Sequence, residues 1–208
     1  MPKIVDHEQR RRELTEALWR VIAESGPEAV SIRTVAAEAG LSTGALRHYF
    51  QTREELLVFA MRLAEERVTE RMIAHQSAQD PATTVVDQVA GLAEQLLPLD
   101  ETRLAEYRAW EAAGMLGERD TDREHRWREQ RRLYRRLVAG LARLPADDPS
   151  RPHPDADVEE WSEHLHTYVD GLALQLVVTP SVVGPEGVRA RLRAFLVRVE
   201  AVLARPDA

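Results

Sequence analysis

The chain contains no cysteine, which excludes disulfides, thiolate metal sites and cysteine nucleophiles together. Lys3 is the only lysine among its 28 basic residues, a bias that points to base composition of the gene rather than to function. No run of about 18 apolar residues occurs, so no membrane-spanning helix is expected. The first residues lack the apolar segment of a secretion signal, and the expected location is the cytoplasm. Aromatics make up only 5% of the chain. There is no glycine-rich phosphate loop after a strand and no Gly-x-Ser-x-Gly elbow. Glu163 and His166 form one Glu-x-x-His pair, but a di-iron bundle needs two copies. His164 and His166 are two apart and point to different faces of a helix. No enzyme, cofactor or metal is expected.

What the chain has is length and helix. Its 208 residues, 44% hydrophobic and 30% charged, suffice for a folded core. The net charge of -7 is unevenly spread. Residues 1–50 balance seven basic against seven acidic side chains, so the whole acidic excess lies in residues 51–208. A neutral segment with well-placed arginines can still bind phosphates, because the local field decides.

Nearly every segment carries helical periodicity, and no strand pattern is present. Leu14, Ala17, Leu18, Val21 and Ile22 mark one buried face, and Ser25-Gly26-Pro27 stops that helix. Ser31 caps a short second helix that Gly40 breaks. Ser42 opens a third. Thr52 and Glu55, as a capping box, open a fourth that runs to about His75. Further helices are predicted from Asp80-Pro81 to near Pro98, from Asp100 to near Gly117, and from a Thr121–Glu124 capping box to about Leu144. A loop over 145–157 follows, then helices ending at Thr179-Pro180 and at Leu203. The fold class is all-α with about nine helices.

Ala36, Gly40 and Leu46 stand at offsets of four and six, the spacing of a helix-turn-helix. A small residue lets the helices cross closely, glycine allows the left-handed turn, and Leu46 packs the second helix inward. The outer face is then free for a DNA major groove. An ordinary helical hairpin has the same spacing, so the neighbouring residues matter.

The run from Ser31 to Phe50, followed by Thr52-Arg53-Glu54-Glu55-Leu56-Leu57, closely resembles the N-terminal signature of TetR-family regulators. The resemblance covers about residues 10–60. It implies a helix-turn-helix domain over 1–53 and a ligand-sensing and dimerisation domain over 54–208. It implies that Ser31 and Arg33 meet the DNA backbone and groove. Ser42, Thr43 and Gly44 would lead the recognition helix, with Arg47 and His48 facing outward. Arg47 suits guanine O6 and N7, although many members carry tyrosine there, so a phosphate is its other target. Tyr49 and Arg53 are candidate phosphate contacts, and the N–H groups near Thr52 a candidate anion site. Tyr49 and Phe50 are both readable as core, Phe50 more so than Tyr49, and Arg10-Arg11-Arg12 as a solvated face or as an arm touching the phosphate backbone.

In the C-terminal part, residues 168–178 are apolar almost all round a helix, and such a helix must be covered on every side. A second chain would cover one side, with Leu172, Leu176, Val188, Leu192, Phe195 and Val199 as the expected dimer interface. Tyr107, Trp110, Trp127 and Trp161 are the expected lining of a ligand pocket. The expected partners are a double-stranded DNA operator, a second copy of the chain and a small-molecule effector. A helical small-molecule binding protein with a degenerate DNA module is the alternative.

Overall fold

In a computed structural model the described residues are 7–80, 82–114, 120–145, 148 and 151–204. They form nine α-helices and no strand. These are α1 (His7–Ser25), α2 (Ile32–Glu38), α3 (Thr43–Arg47), α4 (Arg53–Ser77), α5 (Val85–Ala93), α6 (Glu101–Gly114), α7 (Asp120–Leu141), α8 (Ala156–Val178) and α9 (Pro185–Leu203). The all-α expectation holds.

The helix ends follow local chemistry. Asp155 caps α8 by accepting the N–H groups of Asp157 and Val158 at 2.9 and 3.2 Å. Asp100 accepts the Arg103 N–H at 2.8 Å at the start of α6. The fifth helix starts later than Asp80-Pro81. Asp80 accepts the Ala82 N–H at 2.8 Å in a turn, whereas Thr84 accepts the Asp87 N–H at 3.1 Å and caps α5. Asp87 returns a contact to the Thr84 hydroxyl at 2.6 Å. Two capping residues four apart compete, and the one with an acidic partner three residues on wins. Pro81, Gly117 and the side chains of Arg11, Arg12 and Thr121 lie outside what is described. α6 ends at Gly114, and the backbone of α7 is already helical at Asp120.

The chain divides into two compact units. The first comprises Met1–Arg67 with Asp100–Gly117. Its core joins Leu14, Leu18 and Ile22 of α1, Val35 and Ala36 of α2, and Leu46 of α3. Leu57, Ala60 and Met61 of α4 and Ala105, Ala109 and Ala113 of α6 complete it. Small residues at i, i+4 and i+8 on α6 let that helix lie close to the others.

The second unit comprises Val68–Leu99 with Glu118–Ala208. Within it α7 packs on α8, and α5 on α7 and α9. Arg131 is almost fully buried (1% exposed) between α7 and α8. It donates to the Ser162 hydroxyl at 2.8 Å and to Glu159 Oε1 at 3.0 Å. Arg135 holds both Glu159 carboxylate oxygens at 2.6 Å. With Arg135 first and the His153 N–H and Arg131 adding to it, the Glu159 pKa falls to about 2. No described helix is long and apolar enough to cross a membrane.

Candidate nucleic-acid interface

The interface begins with two serine caps. Ser31 Oγ accepts the Thr34 N–H at 3.1 Å, and Thr34 Oγ1 accepts the Ser31 N–H at 2.9 Å. Threonine thus closes the capping box from the third helical position. The Thr34 hydroxyl also donates to the Ala29 carbonyl at 2.7 Å. Val35 and Ala36 face inward, fully buried, while Arg33 is exposed.

The turn after α2 is built by hydrogen bonds. The Gly40 N–H donates to Ala37 O at 3.1 Å and the Leu41 N–H to Ala36 O at 2.8 Å. That pair of bonds, with Gly40 at φ 64°, is a Schellman closure. It reverses the chain in three residues and leaves Ser42 to cap α3, accepting the Ala45 N–H at 3.1 Å. Leu46 then has no exposure at all. With Leu46 fixed inward, Ser42, Thr43, Gly44, Arg47, His48 and Tyr49 all stand exposed. Among the described residues neither Arg33 nor Arg47 pairs with a carboxylate. Both guanidiniums keep their charge and donors for an outside partner.

Phe50 takes the core alternative: it is half-buried against the first unit's core, its ring 5.0 Å from Phe59. Tyr49 is 38% exposed. Arg53 is engaged within the chain. Its Nε donates to Val30 O and its Nη2 to Pro27 O, each at 3.0 Å. The residue is half-buried and ties α4 to the segment before α2, because unpaired carbonyls in a bend need donors. The anion site expected near Thr52 is also taken. Thr52 accepts the Glu55 N–H at 3.2 Å, and Glu55 reaches back to the Gln51 N–H at 2.5 Å. Backbone N–H and the Thr52 hydroxyl lower the Glu54 pKa. The helix start is satisfied by its own carboxylates, whose charge repels phosphate.

The other expected sites are rearranged. Leu172, Leu176, Val188, Leu192 and Val199 are 0–6% exposed in a single chain. Leu176, Val188, Leu192 and Val199 thus serve the packing of this unit, while Leu172 also lines the groove beside Phe195. Phe195 alone of that set is half-buried. It stacks on Tyr168 at 4.3 Å and meets the edge of Trp161 at 6.1 Å. These rings border an open groove of about 380 Å³, lined also by His164, Gly171 and Gln175. Trp161, His164, Tyr168, Gly171, Gln175 and Val178 alternate steps of three and four. This is the seam spacing of paired helices, a signal present in the sequence but masked by the stronger apolar stripe beside it.

The ligand set is dispersed between the units. Tyr107 and Trp110 belong to the first, where Trp110 packs on the core. Trp127 and Trp161 belong to the second. Trp127 is 54% exposed, so it lines no enclosure. Among the described residues no three acidic or histidine side chains gather as metal ligands would.

Comparison with known proteins agrees with this geometry. Residues 14–58 match the profile described as bacterial regulatory proteins of the tetR family. Residues 85–200 match that of the BetI-type transcriptional repressor C-terminal domain. The chain is 36% identical over 202 residues to the HTH-type transcriptional regulator PksA of Bacillus subtilis (strain 168), covering 97% of this chain and 94% of that one. A crystal structure of a transcriptional regulator from Rhodococcus sp. Rha1 superposes with TM-score 0.72 at 26% identity, covering 94% and 98%. The multidrug binding protein EbrR complexed with ethidium superposes with TM-score 0.62 at 25% identity, covering 91% and 99%. With its outward recognition helix and these two matched segments, the chain belongs to the TetR family of DNA-binding transcriptional regulators.

Proposed function

We propose that this regulator is a repressor that grips a near-palindromic operator as a homodimer in the cytoplasm and lets go when a small molecule binds. The observation that carries the DNA reading is the sidedness of α3: Leu46 is sealed in while Ser42, Thr43, Gly44, Arg47 and His48 face out. Ser31, Arg33 and Tyr49 flank that face and reach for phosphates; Arg47 reads a base edge. Arg53 serves instead as a positioning residue. One short helix reads too few bases, so two copies sit roughly 34–36 Å apart, one turn of DNA.

The surface that joins the copies is the groove side of α8 and α9: Trp161, Tyr168, Gly171, Gln175, Val178 and Phe195. An exposed aromatic and apolar patch of this kind is expected to be covered. Effector sensing falls to the second unit, a reading supported by EbrR, whose likeness to this chain extends to a form complexed with ethidium. For release, the effector must prefer the conformation that does not bind DNA.

The test is selection of bound duplexes from a random pool, followed by fluorescence anisotropy on the duplex recovered. Arg47→Ala is expected to weaken that duplex by about 10- to 100-fold, corresponding to ~1–3 kcal/mol for a base contact. Binding to a scrambled duplex should change little. Equal losses on both would assign Arg47 to a phosphate, and no recoverable duplex at low salt would end the reading.

A further inference from the structure

A carboxylate lies inside the core of the first unit. Glu106 on α6 is 3% exposed, beside Ala105, Ala109 and Ala113 at 6, 0 and 0%. Its Oε1 stands 3.7 Å from Nη1 of Arg67 on α4. The same guanidinium lies over the Trp19 ring of α1, 4.5 Å from its centre. Three helices meet through one cation.

Several features mark this as an orienting device rather than a stabilising one. An ion pair with one partner buried is a poor source of stability, because desolvation offsets the attraction; the best-attested use of such pairs is to fix register. The 3.7 Å separation is an ion pair but too long for a hydrogen bond. The contact with Arg67 is therefore electrostatic. Trp19 is 7% exposed, and its Nε1 is buried without a hydrogen-bond partner. The ring thus presents its face to the cation while its N–H goes unsatisfied, a cost that most buried indoles avoid. Cation–π attraction is strongest for tryptophan and depends on that face-on placement.

We propose that Trp19, Arg67 and Glu106 form a latch that sets the angle of α4 and α6 on α1, and through it the placement of the recognition helix on DNA. They are positioning residues: none of them touches DNA. α6 is accordingly part of the DNA-reading apparatus, although its neighbours in sequence, α5 and α7, belong to the other unit. The latch rests on the reading of a DNA-binding dimer, since its output is where two recognition helices stand.

The experiment uses the full chain and the duplex recovered by selection. Operator affinity is measured on that duplex, on one with a base pair added between half-sites, and on a scrambled duplex. Arg67→Met and Glu106→Gln are each expected to lose about tenfold on the selected duplex and under twofold on the scrambled one. The penalty for the added base pair should shrink in both. The double variant should be no worse than the poorer single one, because both remove one device. Trp19→Phe, which keeps the ring face, should behave nearly as wild type, and Trp19→Leu should resemble Arg67→Met. Any of three results overturns the latch: wild-type affinity and spacing preference in both single variants, equal loss on all duplexes, or additive losses in the double variant. Arg67 has a side chain 38% exposed, so Arg67→Met decides alone if Glu106→Gln does not fold. If wild type binds no duplex, the DNA reading falls and the latch with it. If wild type binds and the variants match it, only the latch falls.

Discussion

The two compact units treat their apolar side chains differently. In the first, Tyr49 is the one large apolar or aromatic side chain standing exposed among the described residues. Along α8, α9 and the turn between them, the second exposes Leu174, Val178, Val182 and Val197. The first unit has closed its core by itself and turns charged and polar groups outward. The second has closed one face of the α8–α9 pair and left the other bare. A bare apolar face on a stable protein is a surface awaiting something, and a self-contained unit is one built to meet a polar partner such as DNA. The contrast matches the proposed division between reading DNA and joining two copies.

The sharpest way to break that contrast is Gly171→Arg. A Cβ at Gly171 would meet nothing within 4 Å, so the folded chain should tolerate the change. The new side chain would stand in the middle of the groove. The expected result is a single chain by sedimentation and a loss of operator affinity of about 100-fold or more, the avidity that a second half-site provides. A variant that stays paired and binds as before would show that some other face joins the copies.

Gly40→Ala probes the self-contained side. Nothing lies within 4 Å of a Cβ there, but the φ of 64° is unfavourable for any side chain. The cost is backbone conformation alone, about 1–2 kcal/mol, or roughly 2–8 °C in Tm for a chain of this size. Because the loss arises within one chain, it should not depend on protein concentration, unlike that of Gly171→Arg. The smallest effect is confined to acid. The Glu159 carboxyl titrates well below the ordinary 4.5, at about 2, chiefly through Arg135. Its contribution is complete above pH 4.5 and is lost as pH falls toward 2. Wild type should therefore lose more stability than Glu159→Gln across that window. Parallel thermal melts from pH 5 to 2 would check this, and coincident slopes would remove Glu159 as the cause.

Legibility from sequence followed the range of the forces involved. The helix-turn-helix was readable because Ser31, Gly40 and Ser42 act on backbone within a few residues of themselves. The start of α5 was misplaced because two local caps, Asp80 and Thr84, compete, and the choice depends on Asp87. The residues expected at the dimer interface depend on forces of longer range. Periodicity identifies which residues are buried, not what buries them, and Leu172, Leu192 and their neighbours are covered by the chain's own helices. Beside the rings of Trp161, Tyr168 and Phe195 the groove is also lined by Gly171, Gln175 and His164, and hydrophobicity alone passes over these three. The tie made by Arg53 was not legible, because the carbonyls it holds, at Pro27 and Val30, are more than twenty residues away and carry no signal in their side chains. Of the four aromatics expected to line one pocket, two belong to each unit, a division that composition does not reveal.

Arg53 has a consequence for mechanics. α4 has 25 residues, about 37 Å of rod at 1.5 Å per residue. At one end a guanidinium belts its first turn to two carbonyls just ahead of α2. A lever is only as good as its fulcrum, and that belt removes the slack. The first turn of α4 is therefore held to the segment from which α2 starts, and the two keep one orientation.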